Sequence, residues 1–139
     1  LFQTVHEGNY HVLRGKPTSE VLFALQSHEI RRIARHEECV FVGRCADFVL
    51  HDQDVKLLTV FVAAPDEHRI RRKMEQEKLS RDQAVHLIRK MDKQRRKYYE
   101  NYTGRTWGAP DGYDLYLNTG SLSTDEAAAC IAARFREMA

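Results

Sequence analysis

The sequence predicts an α/β domain built on a parallel sheet with helices on both faces, and three observations carry that prediction. The run VKLLTVFVAA at 55–64 is almost continuously apolar and rich in branched residues, the pattern of a strand covered on both sides. Two further short apolar segments, CVFV at 39–42 and YDLYLN at 113–118, read as strands. Around them lie stretches with helical spacing of apolar residues, and helices alternating with buried strands mark a layered α/β fold. With 139 residues, 42% of them hydrophobic, the chain suits one domain with a modest core.

Residues 1–18 carry Gly8, Gly15 and Pro17 without a sustained period and read as a lead-in, leaving 19–139 as the domain proper. Val21, Leu22, Leu25, Ile30 and Ile33 then recur at near-helical spacing behind Ser19, a good N-cap, and predict a helix over about 19–36. The strand at 39–42 is expected to be buried and to end on Gly43, so that Arg44 faces an anion at a strand's carboxyl end. The plainer alternative is a turn glycine followed by a surface arginine. After the 55–64 strand, Asp66 is expected to cap a helix to about 77. Ser80 opens another to about 102, with Ala84, Leu87, Ile88 and Met91 on one face. Thr124 is expected to cap the terminal amphipathic helix. No internal repeat is present.

Lys and Arg total 22 against 20 Asp and Glu, so the net charge of +2 gives no global reason to expect nucleic acid as a partner. The distribution is more telling, because twelve of the 22 basic residues and only four acidic ones fall within 69–97. Such a segment either meets anions or forms a solvated helical surface. Cys39, Cys45 and Cys130 are odd in number and lack CxxC spacing, which argues against a disulfide framework or a zinc site. Cys39 and Cys130 stand in apolar runs and are expected in the core. The seven histidines are scattered without an HExxH pair, and no metal ligand is expected among them. No signal peptide is visible and no stretch approaches the roughly 18 apolar residues of a membrane span, so a cytoplasmic setting without a membrane partner is expected.

HRIRRKM at 68–74 follows the 55–64 strand and sets Arg69, Arg72 and Lys73 on one helical face at i, i+3 and i+4. KMDKQRRKYY at 90–99 offers Asp92, Arg95 and Arg96 on a second arm. Two basic helices joined near 78–80 form a lid, at about 66–102, able to close over an anionic ligand. Arginine suits that task because its planar fork binds phosphate oxygens in pairs and stays charged when desolvated. Tyr98, Tyr99, Tyr102 and Trp107 could stack on nucleic-acid bases, but packing of a helix end is the expected role.

The ordered set GRCAD at 43–47, VFVAA followed by HRIRRKM, LIRKMDKQRRKYYENYTGRTWG at 87–108 and YDLYLNTGSL at 113–122 resembles the cytidylate kinase-like family of P-loop kinases. The likeness covers nearly all of 19–138, and the YYENYTGRTW block in this order is its most specific part. It implies a three-layer P-loop kinase-like fold, with phosphate transferred from ATP, in the presence of Mg²⁺, to a small acceptor. By that resemblance Arg44 contacts the acceptor's phosphate, and Asp47, in the same motif, is a candidate replacement for an acceptor contact that this chain lacks. Arg69 lies against the donor nucleotide, Arg72 reaches the transferring phosphate, and Asp92 and Arg96 are charged positions on the returning lid arm. Thr119, Gly120 and Ser121 match the loop where the adenine of ATP packs.

The departures from the family pattern bear on the acceptor. Cytidylate kinases proper carry an acidic residue directly after the Gly-Arg pair, where this chain has Cys45. An arginine and an aspartate that read the acceptor nucleoside there align with Met91 and Arg95, so CMP is one candidate acceptor among several. The family also begins with a strand, a glycine-rich phosphate loop and a helix, and no GxxxxGK[ST] occurs in these 139 residues. A longer protein with that element upstream, a partner chain such as a second copy completing the sheet, or a relative that kept the scaffold and lost the chemistry would each account for it. The corresponding alternative to a kinase is a non-catalytic module whose basic lid binds an anion or a partner.

Overall fold

The computed structural model describes residues 18–139, so the expected lead-in at 1–18 lies, but for its last residue, outside the described residues. The chain divides into two units, Leu1–Leu57 and Leu58–Ala139.

In the first unit, helix α1 (Thr18–His36) holds Ser19 inside the helix rather than as its N-cap, and ends at His36 as its apolar spacing predicts. It buries Ile30 against Ala46, Val49 and Leu50 of a five-residue helix, α2 (Ala46–Leu50). Phe23, Ala34, Phe41, Val55 and Leu57 pack around this cluster. The expected buried strand at 39–42 is not formed. The segment joins no sheet among the described residues, and Val40 and Val42 are 91% and 80% exposed, while Phe41 turns to the core. A strand exists through its ladder, and an apolar run cannot supply the partner.

Gly43, Arg44 and Cys45 follow with φ of 74°, 55° and 56°. Three successive left-handed residues reverse the chain into α2, closed by the Ala46 N–H donating to the Gly43 carbonyl at 3.2 Å. Glycine adopts this conformation without a Cβ clash, whereas Arg44 and Cys45 adopt it at a cost. The thiols also reverse the expectation, since Cys45 is buried while Cys39 and Cys130 are exposed. Cys39 lies in the unpaired segment, and Cys130 lies on a helix whose one buried residue is Ala127.

The second unit holds a two-stranded parallel sheet, β1 (Val60–Ala63) and β2 (Leu115–Asn118), in register from Val60 opposite Leu115 to Ala63 opposite Asn118. The α/β class with parallel pairing is therefore correct, and the sheet among the described residues has two strands. β1 is shorter than the apolar run because Val55 and Leu57 serve the first unit's core, and Val62 is 55% exposed rather than covered on both faces. β2 likewise begins at Leu115 rather than at 113. Ahead of both strands, the Asp114 carboxylate accepts from the Thr59 N–H and hydroxyl at 2.8 Å each.

Helix α3 (Asp66–Glu77) takes Pro65 rather than Asp66 as its N-cap, which places Asp66 and Glu67 in the first turn, where negative charge suits the helix dipole. It ends at Lys78, left-handed at φ 54°. Helix α4 (Arg81–Thr103) starts from Ser80 as expected, through a reciprocal capping box with Gln83, and stops at Gly104. The two form a hairpin around Ile70, Ala84 and Ile88, with Met74, Leu79 and Val85 at its rim. The last helix, α5 (Thr124–Glu137), is capped by Ser123 and not by Thr124, because Ser123 stands three residues before Glu126 and completes the same box.

Candidate functional site

A cavity of about 550 Å³ lies where the carboxyl ends of β1 and β2 meet the α3–α4 hairpin. Ala63 and Ala64 end one side and Thr119, just past β2, stands on the other. This is the edge at which open parallel sheets take ligands. Helix α3 contributes Arg69, Arg72 and Lys73, the face predicted from their spacing, and α4 contributes Asp92, Arg95 and Arg96. Five cations and one carboxylate thus share one hollow.

Their partners differ. Arg69 Nη1 and Nη2 donate to the two oxygens of Asp92 at 2.8 and 2.7 Å, a two-bond fork that ties the arms of the hairpin together. That hydrogen bonding raises the Arg69 pKa further, against the opposing effect of burial. Lys73 pairs with Glu77 on its own helix. Arg95 stands 3.9 Å from Asp92, beyond hydrogen-bond distance. Among the described residues Arg72 has no hydrogen bond or ion pair, and Arg96 has no carboxylate partner. The Arg96 guanidinium carbon instead lies over the Trp107 ring, 5.9 Å from its centroid. Farther along the hairpin, Arg81 pairs with Glu67 and holds that carboxyl below its ordinary pKa.

One wall is aromatic. Phe61 and Tyr116 are opposite one another in the ladder, so their rings share a face and stack at 5.2 Å. Trp107 meets Phe61 edge-on at 5.5 Å. Gly108 makes this approach feasible, because a Cβ there would stand 2.9 Å from Phe61 Cζ and the residue has φ 74°. Glu100 accepts from the Trp107 backbone N–H at 3.3 Å and anchors the turn to α4. Tyr99 is buried and Tyr98 packs against Tyr102 at 4.8 Å, so these aromatics pack as expected.

The structure therefore gathers Arg69, Arg72, Asp92, Arg96 and Thr119 on one cavity. Gly120 and Ser121 belong to the adjoining turn, where Gly120 N–H donates to Asn118 Oδ1 at 2.9 Å and Ser121 N–H to the Asn118 carbonyl at 3.3 Å. A Cβ at Gly120 would meet Pro65 Cδ at 2.5 Å, so this glycine lets the turn lie against the start of α3. Arg44 and Asp47 lie in the first unit, Arg44 exposed on the left-handed turn and Asp47 in the first turn of α2. Sequence reasoning missed the parts played by Phe61 and Tyr116. Alternation within VFVA would have exposed Phe61, had the run not been read as buried on both faces. Arg95, three residues after Asp92, carried a spacing signal that its departure from the family pattern obscured.

Among the described residues no three His, Cys, Asp or Glu side chains converge as a metal site, and no helix is long and apolar enough to cross a membrane. A crystal structure of an uncharacterized protein from Eubacterium ventriosum ATCC 27560 matches with a TM-score of 0.81 and 27% identity, over 92% of this chain and 78% of that one. No curated protein matches the chain significantly. The model of the cytidylate kinase-like family matches residues 2–121, in agreement with the motifs from GRCAD to YDLYLNTGS, and the chain belongs to that family.

Proposed function

We propose that the protein is a kinase-like phosphotransferase that moves a phosphoryl group from ATP to a small phosphorylated acceptor, of the nucleoside monophosphate class. The observation that carries this reading is the set Arg72, Arg95 and Arg96, turned into one cavity at the carboxyl end of a parallel sheet without a carboxylate at hydrogen-bond distance. Family membership supports a nucleotide-related, kinase-like role at a coarse level. In phosphoryl transfer the protein mainly positions the groups and neutralises charge on the transferring oxygens, and guanidinium groups do both. Arg72 and Arg96 fill that role here, on the platform that the Arg69–Asp92 fork keeps in shape. By family resemblance alone Arg44 and Asp47 are proposed as acceptor contacts, and Thr119, Gly120 and Ser121 as the loop beside the adenine.

The carboxylates narrow the acceptor. Asp92 is the one carboxylate among the residues lining the cavity, and both its oxygens accept from Arg69. An alcohol acceptor calls for a base to take its proton, whereas a phosphate oxygen is already ionised and needs none. This favours a phosphorylated acceptor. Mg²⁺ is held by one or two carboxylates together with substrate phosphates, and Asp92 is the one carboxylate among the lining residues. Magnesium belongs to this reading as an ion carried on the ATP phosphates.

The test is transfer from ATP, with MgCl₂ present, to a panel of nucleoside and sugar monophosphates by the full-length protein, followed by ³¹P NMR. A β-phosphate resonance growing on one acceptor class is expected. ATP binding by calorimetry without transfer to any acceptor would instead support the non-catalytic anion-binding module, for which the occupied Asp92 is the favouring observation. Absence of both would remove the nucleotide reading.

A further inference from the structure

We infer that Trp107 is a positioning residue for Arg96, holding its guanidinium at the cavity while leaving its N–H donors available to an anion. The inference rests on the anion-site reading above and adds a residue that it does not use. It starts from a contrast between two arginines on the same cavity. Arg69 is fixed by a carboxylate, and the fixing takes one N–H from each terminal nitrogen, at 2.8 and 2.7 Å. Arg96 is fixed without a carboxylate, by an aromatic face 5.9 Å from its carbon.

A ring attracts a cation through its quadrupole and takes no N–H donor in doing so. An exposed arginine on a helix otherwise samples many rotamers, and narrowing that freedom beforehand lowers the cost of binding. The tryptophan is itself held. Its ring meets Phe61 edge-on, its backbone N–H donates to Glu100, and Gly108 lets its turn close on the Phe61 ring. Phe61 in turn is stacked on Tyr116 of the neighbouring strand. The sheet thus sets the ring, and the ring sets the arginine on α4. Trp107 is the single tryptophan of the chain, so its emission reports this contact directly.

The experiment uses the full-length protein with inorganic tripolyphosphate as the anion, titrated by calorimetry, in wild type, Trp107→Phe, Trp107→Leu, Arg96→Met and the Trp107→Leu/Arg96→Met double variant. Trp107→Leu is expected to weaken binding about two- to fivefold, the scale of an exposed cation–π contact. Trp107→Phe is expected to recover most of it. Arg96→Met is expected to cost less in the Trp107→Leu background than in wild type, the non-additivity of coupled residues. In ligand-free protein Arg96→Met should shift the Trp107 emission, a readout that needs neither an anion nor the Trp107 variants to fold. Wild-type binding with additive effects of the two substitutions would overturn the positioning role and leave the proposed function standing. So would an emission spectrum unchanged by Arg96→Met. Failure of wild type to bind tripolyphosphate would overturn both.

Discussion

Arg69 and Asp92 face each other across the two arms of the helical hairpin and exchange two parallel hydrogen bonds, at 2.8 and 2.7 Å, from positions 23 residues apart. The pair is more than two-thirds buried on both sides, so solvent screens it less than a surface ion pair. Removing one partner takes both fork hydrogen bonds from the other, a charge less than one-third exposed. Asp92→Ala is accordingly expected to lower stability by about 1–3 kcal/mol in urea unfolding. The double variant Arg69→Ala/Asp92→Ala should cost less than the sum of the two single changes. Additive losses would show that the fork does not couple the arms.

Gly108 and Phe61 provide a packing test of the aromatic wall. A methyl group at Gly108 would lie 2.9 Å from Phe61 Cζ, on a residue with φ 74°. Gly108→Ala therefore combines a steric clash with left-handed strain, for an expected loss of about 1–3 kcal/mol. Pairing it with Phe61→Leu should return part of the loss by removing the clash, while the strain stays. An undiminished loss in the pair would assign the whole effect to the backbone.

The parts of this site differ in how far the sequence reveals them, and the differences follow from the range of the interactions. The Ser80 box is legible because donor and acceptor are three residues apart, and Ser80-Arg81-Asp82-Gln83 contains the entire motif. Ser123 and Glu126 carry the same signal, and the start of α5 is misplaced by one residue only because Thr124 is also a competent cap. The helical face of Arg69, Arg72 and Lys73 follows from the 3.6 period alone. What the period cannot reveal is which of these cations is already spent, since Asp92 arrives from another helix. The same holds for 39–42, whose composition suits a strand but whose pairing depends on distant chain. The Phe61–Tyr116 stack needed the ladder register, which is set by residues more than fifty positions apart.

The three thiols separate by exposure. Cys45 is 3% exposed, and burial first, then the Asp47 charge, pushes its pKa up to about 11, with Arg44 opposing. At pH 8 an aromatic disulfide reagent should therefore modify Cys39 and Cys130 in the native protein and Cys45 only after urea is added. The raised pKa also has a sign for stability. Below the unfolded value, near 9, the thiol is protonated in both states and its contribution is fully present. Between about 9 and about 11 the unfolded chain loses the proton while the folded one keeps it, so stability falls across that window. Cys45→Ala should remove that part of the alkaline decline. Equal labelling of all three thiols in the native state would contradict the burial of Cys45.

Arg72 is the cavity cation with no internal partner among the described residues, and it lies one helical turn from Arg69, which has one. The two arginines should therefore respond oppositely to substitution. Arg72→Ala breaks nothing inside the protein, so its melting temperature is expected to stay close to wild type. Arg69→Ala takes from Asp92 both bonds of the fork, leaving Arg95 at 3.9 Å, and should lower it. In the proposed phosphoryl transfer the order reverses in kind, because a guanidinium that neutralises charge on the transferring group acts on kcat. Arg72→Ala is expected to reduce kcat/KM by about 10²–10³ in steady-state assays with ATP and the acceptor found in the panel. Arg72→Lys keeps the charge and loses the planar fork, so it should recover only part of that loss. Unchanged kinetics with an unchanged melting temperature would remove Arg72 from the chemistry, and a lysine variant equal to wild type would reduce its role to bulk charge.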